Sequence, residues 1–183
     1  MAYNVKDVFF LDAEAETTTG AGDFATNLDI SSYVMPVVRK GTKPTGLAIY
    51  KVHWDVSPAA SNDAVPPATT GVFRAGIFSD LGLASAAVGG ISIANDTLNA
   101  GNDLAVSIMD WWGGGTAAGD PHPMTWLMPS PEVPYVIVRD TVQLAGSIST
   151  ATSVSCDIRV RLECAQITLD MATLNQLLRT QTV

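Results

Sequence analysis

The sequence predicts an all-β fold, a two-sheet sandwich with one short helix at its C-terminal end. Three observations carry this reading. Short apolar or alternating runs recur along the 183 residues, each ended by a cluster of Gly, Pro, Asn or Asp. Two of the runs, Ala48–Val56 and Val154–Cys164, alternate apolar and polar side chains at a period of two. No internal repeat or composition break divides the chain, so residues 1–183 read as a single β-sandwich domain. A chain of this length buries about 70% of its unfolded surface in one core.

Taken in order, Tyr33–Arg39 is the first strand candidate. It leads through Lys40-Gly41-Thr42-Lys43-Pro44-Thr45, a loop of hairpin composition, into Gly46–Val56. There Ala48, Tyr50, Val52, Trp54 and Val56 are expected on one face, with Lys51, His53 and Asp55 on the other. Ser57–Thr70, with Pro58, Pro66 and Pro67, is expected to be an exposed loop. Val72–Ser79 reads as a strand. Leu81–Val88 permits a helical turn or two, limited by Gly82, Gly89 and Gly90. Ile91–Ala94, Leu104–Trp112, Met124–Met128, Tyr135–Leu144 and Val154–Leu169 complete the strands. Asp170 reads as an N-cap for a short amphipathic helix with Met171, Leu174, Leu177 and Leu178 on its apolar side. Eight to ten strands with such uneven connections suit a jelly-roll-type two-sheet β-sandwich. An immunoglobulin sandwich is usually nearer 100 residues, and a barrel stays open as an alternative.

Charged residues make up 15% of the chain, against about 25% in an ordinary soluble domain. Small neutral residues replace them, as suits a surface that lies against another chain. The net charge is −8, and the ten Lys and Arg residues are scattered. Their densest groups are Arg39-Lys40 with Lys43, and Arg159 with Arg161. Phosphate binding needs a concentrated positive field, so direct nucleic-acid binding is not expected. Nor is a secretion signal, because the first residues hold no run long enough for its apolar core and Asp12, Glu14 and Glu16 follow at once, or a transmembrane segment, because no apolar run approaches 18 residues. Cys156 and Cys164 lie on one predicted strand, about 26 Å apart when extended, too far to pair with each other. They read as buried reduced thiols.

Patterns that carry chemistry are sparse. His53 falls on the polar side of a strand and His122 between two prolines, with no Gly-x-Ser-x-Gly, His-Glu-x-x-His or Cys-x-x-Cys nearby. Gly113-Gly114-Gly115-Thr116 lacks the lysine of a phosphate-binding loop. The Asp residues flank turns, where Asx hydrogen bonding accounts for them. No catalytic residue, metal ligand or cofactor is therefore expected, and the chain reads as a non-enzyme. Trp111-Trp112 is the pair worth following: adjacent strand residues face opposite ways, so one indole enters the core and the other is left for a partner or a sugar ring. Trp126 and Tyr135 are candidates for the same surface.

A small acidic chain with these strands and Ala-, Gly-, Thr- and Pro-rich loops resembles the single jelly-roll coat proteins of icosahedral viruses. It is more similar in character to those of double-stranded DNA viruses with an internal membrane. The resemblance is one of architecture and includes no diagnostic motif. It implies a virion subunit, made in the host cytoplasm, that packs against copies of itself and other coat proteins as capsomers of a shell. Coat proteins that package RNA or single-stranded DNA often carry a basic arm. Here the first 25 residues hold one Lys and five acids, which implies that the genome is not held that way. Two other classes compete: a carbohydrate- or receptor-binding β-sandwich, motivated by Trp111 and Trp112, and an enzyme built around a histidine.

Overall fold

The computed structural model describes residues 8–17, 20–36, 42–61, 63–66, 69–114 and 122–181. Among them lie ten strands: β1 (Val8–Thr17), β2 (Gly22–Asp29), β3 (Thr45–Pro58), β4 (Thr70–Ser79), β5 (Ala86–Ile91), β6 (Ala105–Gly114), β7 (His122–Leu127), β8 (Tyr135–Ile137), β9 (Thr141–Thr150) and β10 (Cys156–Thr168). One helix, α1 (Met171–Thr180), follows. The strands form a four-stranded sheet, ordered β1-β10-β3-β8, and a six-stranded sheet, ordered β5-β2-β9-β4-β6-β7.

The antiparallel pairs nest. β1 pairs with β10, β2 with β9, β3 with β8, and β4 with β6. This is a long ribbon rolled until its two ends meet, the jelly-roll order, with β5 and β7 added at the two edges of the larger sheet. One core cluster draws on both sheets: Leu47, Ile49, Val52, Ile158, Val160 and Leu162 from the smaller, with Phe24, Phe73, Ile77, Leu144 and Trp111 from the larger. A second cluster lies on the outer side of the larger sheet, where Phe78, Ile108 and Ala145 are covered by Ile93, Leu81, Leu83 and Leu98. The excursion between β4 and β6 therefore folds back over that sheet.

Several expectations are corrected. Tyr33–Arg39 is not a strand in its described part. Residues 31–33 form a turn and Met35 makes a single bridge to Thr45, while residues 37–41 lie outside the described residues. The helical turns allowed over Leu81–Val88 do not form, and the strand there is β5, ahead of the expected Ile91–Ala94. Ser57 and Pro58 belong to β3 and are buried, so the loop begins after them. Tyr135–Leu144 splits into β8 and β9, which belong to different sheets. Arg139 at the crossing is anchored to Asp80, with Nη2 at 2.8 Å from the carboxylate.

The single-face reading of β3 also fails. Leu47 and Ile49 face the core, and so do Val52, Trp54 and Val56, whereas Ala48 and Tyr50 pack on the outer side with Ala165. The cause is a bulge. Lys51 pairs with Glu163 and Ile49 with Cys164, so Tyr50 is the extra residue and the parity flips there. β10 keeps its alternation, with Cys156, Ile158, Val160, Leu162 and Cys164 all buried. β1 and β2 were not anticipated, although Leu11, Ala13 and Ala15 alternate with Asp12, Glu14 and Glu16. Asp170 caps α1 as expected, accepting from the amide of Thr173 at 2.8 Å.

Candidate functional site

Strand alternation decides where the tryptophans go. On β6, Val106, Met109 and Trp111 join the shared core, while Asp110 and Trp112 point outward. Trp111 is 2% exposed and stacks on Phe73, its register partner on β4, with ring centroids 5.2 Å apart. It is a core residue and presents no surface. Trp112 is half-buried on the outer face of the six-stranded sheet. Tyr135 does not join it. It sits on β8 of the other sheet, and its hydroxyl donates to the Asp103 carbonyl at 2.7 Å. Burial pushes that phenol up to about 12.

Trp126 does join the outer face. It is 57% exposed on β7, and its indole N–H donates to Asp110 Oδ2 at 2.5 Å. Asp110 is itself held by Arg74, its register partner on β4, through Nε–Oδ1 at 2.6 Å and Nη2–Oδ2 at 2.7 Å. Arg74 also donates to the Leu98 carbonyl, which ties the sheet to the excursion above it. Burial pushes Asp110 upward, but the hydrogen bonds from Arg74 and Trp126 and the charge of Arg74 outweigh it and hold the carboxyl below its ordinary value.

Between this sheet and residues 92–98 of the excursion lies a depression of about 810 Å³. Its floor holds Arg74, Asp110, Trp112 and Ser147, and its wall Ser92 and Asn95. Neither Arg74 nor Asp110 was singled out from sequence. The signal available was an isolated Arg and an Asp at corresponding positions of two predicted strands.

A second depression, about 890 Å³, lies on the outer face of the four-stranded sheet. There the charges form cross-strand rows: Glu14–Arg159–Asp55 and Asp12–Arg161–His53 in register. Arg159 donates to Glu14, Ser57 and Asp157, and Arg161 to Asp12. His53 Nε2 stands 3.6 Å from Glu163, outside hydrogen-bond reach, and is exposed. His122 lies in β7 with its backbone opposite Trp112; its side chain and residues 115–121 lie outside the described residues, and of the run Gly113-Gly114-Gly115-Thr116 the first two end β6. Among the described residues no three His, Cys, Asp or Glu side chains gather as a metal site, and no helix is long and apolar enough to cross a membrane.

No protein-family model matches the chain, and no curated protein matches it either.

Proposed function

We propose that this chain is a structural, self-assembling subunit, a viral capsid protein that forms capsomers of an icosahedral shell and has no enzymatic activity. The observation that carries the reading is the outer strip of β7. Met124 and Trp126 on β7 and Met128 just past its end are all exposed, and residues 122–131 include no Asp, Glu, Lys or Arg. Large apolar side chains left exposed along one sheet edge are the kind of surface a contact site presents. β7 ends its sheet, and its register slips at Trp126, so the strip meets a partner through side chains more than through a ladder of backbone bonds.

The lack of charge favours another copy as that partner. When identical strips meet, each side chain faces its own kind or a close neighbour, and like charges there would repel. β1, at the edge of the other sheet, carries Asp12 and Glu14, the ordinary guard against such pairing. The nested jelly-roll pairing agrees with the coat-protein resemblance, which implies partners in the same shell, synthesis in the host cytoplasm and residence in the virion.

Light scattering coupled to size exclusion, followed by electron microscopy of the same fractions, tests this. The expected result is a ring or shell that Trp126→Asp reduces to folded monomers. A wild-type chain that stays monomeric at every concentration would sink the reading.

A further inference from the structure

We infer that the depression between the six-stranded sheet and residues 92–98 binds a neutral sugar. This goes beyond shell formation and does not depend on it. The β7 strip exposes mainly apolar side chains, but this depression is mixed. Trp112 gives its floor an aromatic ring, and Ser92, Asn95 and Ser147 are polar residues that also line it. Those three side chains make no hydrogen bond within the chain, among the described residues. A pyranose is amphipathic in the same way, with a face of C–H groups that packs on an indole and a rim of hydroxyls that need neutral donors and acceptors.

The electrostatics narrow the ligand class. Arg74 and Asp110 neutralise one another through two short hydrogen bonds, so the guanidinium is not left to hold an anion. Asp23 also lines the depression, and its Oδ2 accepts from the amide of Ile93 at 2.6 Å. The site thus holds one net negative charge, which disfavours carboxylated or sulfated sugars. Its volume, about 810 Å³, falls within the usual range of small-molecule sites, roughly 300–1,000 Å³. The site is also preorganised. Arg74 joins floor to wall at the Leu98 carbonyl, and Asp23 does so at Ile93, so little ordering remains when a ligand enters.

Saturation-transfer NMR on the full chain is the test. The probes are the methyl glycosides of glucose, galactose, mannose and N-acetylglucosamine, with N-acetylneuraminic acid as the anionic control. At least one neutral glycoside is expected to receive magnetisation, strongest at the ring C–H groups. Trp112→Ala should weaken its binding about tenfold or more. Asn95→Ala, at an exposed turn that carries no core contact, should weaken it severalfold with the fold intact, and decides the matter if Trp112→Ala does not fold. No transfer to any neutral glycoside, a response to the acid alone, or full binding by Asn95→Ala or by folded Trp112→Ala would each overturn the inference.

Discussion

The side-chain amide of Gln181 accepts from the backbone amide of Val138 at 3.2 Å, while its Nε2 donates to the Val136 carbonyl at 2.5 Å. One side chain thus serves β8 as an adjacent strand would. Its Oε1 also accepts from Ser79 Oγ at 3.3 Å, so the residue after α1 is tied to both sheets. Gln181 is buried, and its removal leaves two donors, the Val138 amide and the Ser79 hydroxyl, and one acceptor, the Val136 carbonyl, without this partner. Gln181→Ala is expected to cost about 2–4 kcal/mol, read as a lower urea midpoint. A midpoint within error of wild type would contradict the bracing role.

The two adjacent tryptophans should behave differently. Trp111 fills the core against Phe73, so Trp111→Ala should cost about 3–5 kcal/mol. Trp112 lies half-buried outside, so Trp112→Ala should cost distinctly less. Thermal melts of the two variants side by side provide the comparison, and equal losses would refute the assignment of faces.

Asp110 gives the stability curve an acid limb. Its folded carboxyl is held below the value of an unfolded chain, so its contribution is complete above the unfolded pKa, about 4. It is lost as pH falls through the folded value. Asp110→Asn removes that dependence, so stability measured between pH 5 and pH 2 should fall less steeply in the variant. An unchanged slope would show that the Arg74 pair is not linked to folding.

Both cysteines should resist thiol reagents in the native state. Cys156 and Cys164 are buried and unpaired with each other, and burial, with Glu163 adjacent, pushes the Cys164 thiol up to about 12. Reaction with a chromogenic disulfide at pH 8 should release no dye from the folded chain and two equivalents after denaturation. Rapid labelling of either native thiol would place it at the surface.

The legible parts of the fold were those where local pattern and final environment agree. β10 alternates without a break from Cys156 to Cys164, and every apolar member is buried. Asp170 was readable as a cap because capping needs only one side chain and an amide three residues on. β3 was half-legible: the bulge at Tyr50 depends on pairing with Glu163 and Cys164, more than a hundred residues away, and nothing local marks it. The same limit applies to the candidate site. Trp111 and Trp112 were known to part, but the sequence held no sign of which would enter the core. Arg74 and Asp110 stand thirty-six positions apart and meet only because β4 pairs with β6.

By itself the sequence determined the class of the protein: a β-rich acidic chain with two alternating runs, a capped terminal helix and thiols that cannot reach each other. Side-chain periodicity and capping are short-range properties, written into neighbouring residues. Tertiary structure alone decided that the ribbon rolls up with β1 against β10, that Tyr135–Leu144 divides between two sheets, and that residues 92–98 roof the outer face beside Trp112. Those outcomes depend on long-range strand register, which is fixed when two distant segments bury their apolar faces together.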